Sequence, residues 1–148
     1  MEKYSDFVVH DLNENIDSSF CMLIQTDGYP VKIDAWKDDF LKYDYIGAPW
    51  FTQMEVPERM IVGNGGFSIR SKRFLEESCK LPEKGAETHP EDVFLCREKH
   101  DELVESGVVF APWEVARLFS VEDAPYAGQF GFHGQMTVNI NKALGIFK

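Results

Sequence analysis

The sequence predicts a single α/β domain, because short apolar runs alternate with segments whose apolar residues recur at helical spacing. Residues 3–16 predict an amphipathic helix, since their apolar side chains recur every three or four positions. Residues 20–24 form a continuous apolar run that is too short for a helix. This run predicts a strand buried on both faces, as in a parallel sheet between helices. The 148 residues fit one domain of ordinary size, so we assign residues 1–148 to a single domain.

The remaining elements continue the same alternation. We expect further strands at 45–48, 67–70 and 108–110, short helices at 35–41 and 114–118, and loops at 49–60 and 82–89. Ser71 is placed to cap a helix that ends near Lys80. The Thr88 to Glu91 segment has the spacing of a capping box, and Gly107 suits the end of the helix that would start there. Residues 125–148 are glycine-rich and end in a weakly amphipathic stretch.

Charge and cysteine usage exclude some function classes. With 15 Lys and Arg against 25 Asp and Glu, the formal net charge is −10, which speaks against nucleic acid as a partner. No apolar run is long enough to cross a bilayer, and the first residues lack the pattern of a secretory signal. The three cysteines are scattered, without a C-x-x-C pair, which is typical of reduced thiols in a cytoplasmic protein. We therefore expect a cytoplasmic protein without a transmembrane segment.

The first candidate site residue is Asp27, which follows the predicted strand at 20–24. In open α/β sheets, ligands bind beyond the carboxyl ends of the strands. A carboxylate there is well placed to hold a divalent cation that bridges phosphate oxygens. The alternative is an ordinary turn aspartate, because Asp27 precedes Gly28.

The second candidate is the glycine segment Gly63, Asn64, Gly65 and Gly66. Three glycines in four residues predict a loop that a ligand can approach closely, with backbone N–H groups facing an anion or sugar hydroxyls. The alternative is a tight loop that only serves packing. The segment lacks the G-K-[ST] sequence of a P-loop and the spacing of a dinucleotide-binding fingerprint.

Two further candidates lie near the second half of the chain. Glu91 and Asp92 stand at a predicted helix start, where one carboxylate could act as a general base while the other holds the substrate. Acidic residues are also favoured there simply by the helix dipole. His133, in the Phe130 to Gly134 segment, suits a metal or phosphate contact, although a lone histidine between aromatic residues is more often structural. No serine or cysteine nucleophile motif is present, which disfavours covalent catalysis of that kind.

Together these segments resemble a domain-of-unknown-function family of bacterial and viral proteins expected to be glycosyltransferases. More distantly they resemble the core of GT-A glycosyltransferases, with its D-x-D metal motif, glycine loop, x-E-D motif and C-terminal histidine. The resemblance covers residues 4–134, and the segments that carry it are 25–28, 43–50, 63–71, 89–94 and 130–134.

The resemblance implies a partial GT-A-like, Rossmann-like mixed sheet flanked by helices, and a role for each candidate residue. Asp27 and His133 would bind Mn²⁺ or Mg²⁺, and Asp92 would deprotonate the acceptor hydroxyl. Glu91 would hold sugar hydroxyls. The other implied substrate-binding residues are Trp50, Gly63, Asn64, Gly65 and Gly66.

The chain departs from the GT-A pattern in two respects. Gln25 occupies the first position of D-x-D, so one carboxylate remains there. In GT-A folds a nucleotide-binding half precedes the metal strand, so the resemblance implies that on the order of 60 to 100 residues of βαβ units are missing before the metal strand. We expect a truncated chain, a partner or second copy that supplies the missing half, or a degenerate remnant. The unpaired sheet edge that results favours a homo-oligomer.

The leading hypothesis is a metal-dependent, inverting transfer of a sugar from a nucleotide-sugar donor to a glycan or other hydroxyl acceptor. The first alternative is a non-catalytic carbohydrate-binding or interaction module derived from a glycosyltransferase. The second alternative is a metal-dependent phosphoester hydrolase that uses the same acidic residues and His133.

Overall fold

A computed structural model describes residues 1–50 and 57–148 and confirms the mixed α/β class. Two three-stranded sheets are flanked by helices. The predicted loop at 49–60 lies partly outside the described residues. Within those residues, no helix has both the length and the apolar character that crossing a membrane requires.

The element bounds are as follows. The strands are β1 (Phe20–Ile24), β2 (Tyr29–Pro30), β3 (Tyr45–Pro49), β4 (Val62–Ser71), β5 (Ser120–Glu122) and β6 (Gly131–His133). The α-helices are α1 (Glu2–Asp6), α2 (Lys72–Ser78), α3 (Glu91–Val93), α4 (His100–Glu105), α5 (Trp113–Phe119) and α6 (Gln135–Ala143). Several single helical turns connect them.

The N-terminal helix is confirmed, whereas the short helix predicted at 35–41 is wrong. Helical structure runs from α1 through a π-helical turn and a 3₁₀ turn to Asn15. At 35–41 the chain instead makes two separate 3₁₀ turns, with extended backbone at Trp36 and Lys37 between them. The Trp36 indole N–H donates a hydrogen bond to the Asp38 carboxylate at 3.0 Å. Such local side-chain bonding competes with a continuous helix.

The first sheet has the order β1-β4-β3, and both pairings are antiparallel. The prediction of a parallel sheet with β1 buried on both faces is therefore wrong. β1 is an edge strand, and Met22 and Ile24 are 36% and 47% exposed. An antiparallel sheet can leave one face to solvent, so an uninterrupted apolar run does not require burial on both faces.

The glycine segment is part of β4, so its prediction as a loop is also wrong. Pairing continues to this end of the strand, where Ala48 lies opposite Asn64 and Pro49 opposite Val62. The ladder is irregular, because β3 advances two residues from Ile46 to Ala48 while β4 advances five from Asn64 to Ile69. A bulge of this kind re-aims the side chains beside it.

The second sheet is small and brings two distant polar residues together. β6 pairs with β2 antiparallel and with β5 parallel, and Glu122 on β5 lies opposite His133 on β6. β5 was not among the predicted strands. The strand predicted at 108–110 is wrong: it contributes one isolated bridge, between Phe110 and Tyr45.

Predictions for the helix ends are partly confirmed. Ser71 caps α2 by accepting a hydrogen bond from the Phe74 N–H at 3.0 Å. α5 matches the helix predicted at 114–118, and Gly107 follows α4 with φ 96°. The capping box is wrong, because the Thr88 hydroxyl donates to the Gly85 carbonyl at 2.8 Å and the first turn of α3 has no side-chain cap.

The core is divided by the first sheet. One cluster joins α2 and α4 to β3 and includes Tyr45, Phe74, Leu95, Cys96 and Leu103. The other surrounds four aromatic side chains, Phe40, Phe67, Phe119 and Phe130. Because β4 forms the wall between them, its backbone is fixed from both sides.

The bulged pairing of β3 with β4 requires glycine at position 47. A Cβ on Gly47 would overlap the backbone carbonyl oxygen of Asn64. We expect Gly47→Ala to lower the free energy of unfolding by about 3 kcal/mol, measured by urea denaturation. Gly85→Ala is the control, because its Cβ meets open space and only its φ of 66° is unfavourable, at about 1 kcal/mol. Equal losses in the two variants would contradict the close approach.

Candidate active site

The Asp92 side chain joins α3 to the glycine segment of β4. Its Oδ2 accepts a hydrogen bond from the Gly65 N–H at 3.1 Å, and its Oδ1 accepts one from the Val93 N–H at 2.8 Å. Pairing of β1 with β4 ends just before this point, with the Gln25 N–H donating to the Gly66 carbonyl at 2.8 Å. Asp92 therefore binds a backbone N–H of β4 near the end of the sheet where β1 ends.

Glu91 lies behind Asp92, against a buried arginine. Its Oε1 is 3.6 Å from the Arg70 guanidinium, and Arg70 is fully buried. Burial raises the pKa of Glu91 above its usual value, the guanidinium opposes that rise, and the neighbouring Asp92 charge adds to it. Since Glu91 is only 5% exposed, its carboxylate faces the protein more than the solvent.

His133 lies between two carboxylates. Its Nδ1 is 2.7 Å from Glu122 Oε1, and its Nε2 is 3.2 Å from Asp27 Oδ1. The Asp27 carbonyl also accepts a hydrogen bond from the Gly134 N–H at 3.1 Å, which fixes the turn after β1 against the end of β6. Glu122 has a second contact, because the Asn64 amide donates to its other carboxylate oxygen.

The charge of His133 reflects these neighbours. Burial by itself lowers the pKa of His133, but the hydrogen bond and charge of Glu122, together with Asp27, outweigh burial and raise the pKa above the usual value. The two carboxylates thus favour the imidazolium form.

The glycines allow these side chains to lie on the backbone of β4. A Cβ on Gly66 would overlap the His133 ring, and a Cβ on Gly63 would overlap the Trp50 ring. A Cβ on Gly65 would lie 2.8 Å from the Glu91 carboxylate. The segment is therefore glycine-rich for close approach of side chains to a strand, rather than for turning the chain.

Trp50 and Asn64 occupy opposite sides of this segment. The Trp50 ring covers Gly63 and carries the Arg97 guanidinium at 3.9 Å from its centroid. Asn64 points to Glu122, on the same side as His133. Neighbouring residues of a strand face opposite ways, which explains why the predicted substrate residues divide into two groups.

The predicted residues gather at one end of β4, but in two clusters. The first contains Asp92, Glu91 and Trp50, which contact Gly63 and Gly65. The second contains Asp27 and His133, with Asn64 and Gly66. Both clusters lie near the carboxyl end of β1, since Asp27 follows β1 by three residues and Asp92 bonds to Gly65, two residues beyond the last β4 residue paired with β1.

The second cluster has the donor chemistry for a divalent cation. His133 Nε2 is buried without a hydrogen-bond partner, although it lies 3.2 Å from Asp27 Oδ1. Adjacent ligands of an octahedral cation, each at about 2.1 Å from it, are about 3 Å apart, so this spacing fits a shared ion. The described ranges hold no group of three or more His, Cys, Asp and Glu side chains arranged for a metal. Mg²⁺ is often held by one or two protein ligands together with substrate phosphates and water.

Sequence reasoning missed three residues of this region. Glu122 follows residues 118–121, which are apolar except for Ser120, so the signal that identified Asp27 after residues 20–24 is weaker for Glu122. Arg70 carried no signal, because a charged residue at the end of a strand is usually exposed. Tyr4 accepts a hydrogen bond from the Gln25 amide at 3.2 Å, just beyond the end of β1.

The fold and this site define a mixed α/β domain with a polar candidate site at the end of an edge strand. A family model described as protein of unknown function (DUF5672) matches residues 1–133. Because the match covers most of the chain, the chain belongs to the DUF5672 family. No curated protein matches the chain, and no solved structure matches it.

The pKa of His133 tests the geometry of the second cluster. We expect Glu122→Gln to lower the pKa of His133, because burial remains while the strongest favourable charge is lost. A histidine whose pKa is raised in the folded state adds stability below its unfolded pKa of about 6.5, and that contribution is lost as pH rises through the folded pKa. The variant should therefore lose less stability over this pH range than the wild type. Both effects are measurable, by NMR titration of the imidazole and by urea denaturation.

Glu114→Gln is the matched control, because Glu114 is exposed on α5 and forms no contact with His133. An unchanged His133 pKa in Glu122→Gln would contradict the contact between these two side chains.

Proposed function

We propose that this chain is a glycosyltransferase-like domain that transfers a sugar, with inversion, from a nucleotide-sugar donor to a hydroxyl acceptor in a metal-dependent reaction. The observation that carries the proposal is the position of Asp92. Its carboxylate lies at the amino end of β4, beyond the end of β1, where glycines let the Asp92, Trp50 and His133 side chains approach the strand closely. A ligand bound at this end of the sheet would meet that carboxylate on one side and the cluster of Asp27 and His133 on the other.

Asp92 has the role of general base. A sugar hydroxyl is a weak nucleophile, so a positioned carboxylate that accepts its proton favours direct displacement at the anomeric carbon. The two backbone N–H groups that bond to Asp92 hold its carboxylate against β4 and α3. They also orient the carboxylate, while each oxygen retains a lone pair for a substrate hydroxyl.

Asp27 and His133 are the residues that would hold Mn²⁺ or Mg²⁺. When bound, such a cation neutralises the charge that develops on the diphosphate leaving group. Glu122 orients the His133 ring through Nδ1, which directs Nε2 towards Asp27. His133 must release a proton to become a ligand, and the backbone of Gly66 leaves space for its ring.

The other predicted residues have supporting roles. Glu91 balances the buried charge of Arg70 and so holds α3, with Asp92, in place. Gly63, Asn64, Gly65 and Gly66 form the floor of the site, and Trp50 forms part of its wall. The three cysteines are free thiols, which supports a cytoplasmic location. β1 has one edge without a partner strand among the described residues, which supports association with a second copy or another chain.

A non-catalytic carbohydrate-binding module is the second candidate. Gln25 replaces a carboxylate of D-x-D, and its amide is bonded to Tyr4 rather than directed to the Asp27 and His133 pair. A protein that has lost metal affinity in this way could retain the sugar contacts of Trp50 and Asp92.

Asp92→Asn tests the proposed base. We expect the rate of transfer to fall by a factor of about 10² to 10⁴, because the amide cannot accept the proton. Donor binding should be retained, since the amide oxygen still accepts one of the two backbone hydrogen bonds, while the bond at the amide nitrogen is lost. The measurements are product formation from a panel of nucleotide sugars with Mn²⁺, and calorimetry of donor binding.

Glu87→Gln is the control for the loss of one carboxylate near α3, because Glu87 is exposed in the turn before that helix. Full transfer by Asp92→Asn would remove Asp92 from the role of base. Sugar binding by a wild type that binds no nucleotide sugar would favour the module instead.

Asp27→Asn and His133→Ala test the metal ligands. Each variant should weaken Mn²⁺ binding about 10- to 100-fold, because two protein ligands leave little redundancy. Electron paramagnetic resonance of free Mn²⁺ measures this directly, without a substrate. Asp123→Asn is the control, since Asp123 is an exposed carboxylate next to Glu122 that contacts neither ligand. Equal Mn²⁺ affinity in all four proteins would exclude this pair as a metal site.

A further inference from the structure

A cavity of about 340 Å³ lies where β3 ends, beside β5 and α5. Its volume is near the lower end of the range of about 300 to 1,000 Å³ for small-molecule sites. The lining residues that matter chemically are Trp50, Trp113, Arg117, Ser120, Glu122 and Gln129. We call this cavity the tryptophan pocket. With the exception of Trp50, none of these residues was singled out from the sequence.

The aromatic lining is held in place by cation–π contacts. The Arg117 guanidinium lies 4.9 Å from the Trp113 ring centroid, and Arg97 stacks on Trp50. Trp113 is 41% exposed, so part of its surface is available to a ligand. Indole rings present broad apolar surfaces on which the C–H face of a sugar ring can pack.

The polar lining suits hydroxyl groups. The Ser120 hydroxyl is buried, at 1% exposure, and has no hydrogen-bond partner among the described residues. Gln129 accepts a hydrogen bond from the Ala127 N–H at 2.8 Å through Oε1, which leaves its amide N–H₂ for another acceptor. A sugar hydroxyl both donates and accepts, so it can satisfy a hydroxyl, an amide and the Glu122 carboxylate together.

The charge of the lining disfavours a diphosphate. The tryptophan pocket carries one cation, Arg117, and one carboxylate, Glu122, so its formal charges balance. A nucleotide diphosphate would meet the Glu122 carboxylate with a single arginine to offset it. A ring with hydroxyl groups and little or no charge fits better.

The tryptophan pocket adjoins both clusters of the candidate site. Glu122 reaches from its wall to the His133 ring, at 2.7 Å. On the other side the Trp50 ring covers Gly63, two residues before the glycine whose N–H bonds to Asp92. We propose that the tryptophan pocket binds the acceptor sugar, with its ring packed on Trp113. That this sugar is the acceptor rests on the proposed transferase function, whereas the binding of a sugar ring does not.

The test uses the full chain and four simple probes. These are the methyl glycosides of glucose, galactose, mannose and N-acetylglucosamine at millimolar concentration, with binding followed by saturation-transfer NMR and tryptophan fluorescence. We expect at least one glycoside to bind, Trp113→Ala to weaken that binding about tenfold, and Trp113→Phe to restore part of it. Leu118→Ala on the same helix is the control, because Leu118 is similarly exposed and does not line the pocket.

Donor binding, measured separately with uridine diphosphate glucose and guanosine diphosphate mannose in the presence of Mn²⁺, separates the two proposals. Glycoside binding that depends on Trp113, together with donor binding that does not, supports both. Glycoside binding without donor binding supports the sugar pocket and overturns the transferase. Donor binding without glycoside binding, or glycoside binding that Trp113→Ala leaves unchanged, overturns the tryptophan pocket.

Discussion

The buried ion pair between Arg70 and Glu91 holds the candidate site in position. Arg70 is fully buried in the core between Tyr45 and Phe74, and Glu91 is the carboxylate that it contacts among the described residues. Removing one partner of such a pair typically costs about 3 to 5 kcal/mol, because a charge is left buried without compensation. The pair therefore fixes the start of α3 against β4. The same constraint holds Asp92, the next residue along the chain, near the amino end of β4.

The second cluster depends on a different constraint, the absence of a side chain at position 66. The ring of His133 lies where a Cβ of residue 66 would be, so any residue other than glycine would displace it. Glu122 then orients the ring, because β5 and β6 pair in the register that sets Glu122 opposite His133. The short parallel pairing of β5 with β6 and the glycine at position 66 therefore fix the position of His133, and the buried ion pair fixes the position of Asp92.

The sequence allowed the elements near the site to be predicted better than their arrangement. Strand β1 and the cap of α2 depend on local signals, an apolar run and a serine, and both are confirmed. The predicted direction and the predicted burial of β1 are both wrong, because an apolar run specifies neither burial on both faces nor the direction of the neighbouring strand. For the glycine segment the sequence predicts a loop, because glycines are common where the backbone turns or is flexible. Its actual reason, close approach of the His133 and Trp50 rings, depends on residues far away in the chain.

In the proposed reaction, the charges around the site make binding of the nucleotide-sugar donor depend on binding of the cation. Asp27, Glu122 and Asp92 are three carboxylates near one end of β4, in a chain with a net charge of −10. Arg70 is too deeply buried to meet a substrate, and the positive charge of His133 is shared between two carboxylates. A diphosphate entering this region without a cation would therefore be repelled. If the transferase proposal is correct, the cation must raise the affinity for the nucleotide-sugar donor, and the donor must raise the affinity for the cation by the same factor.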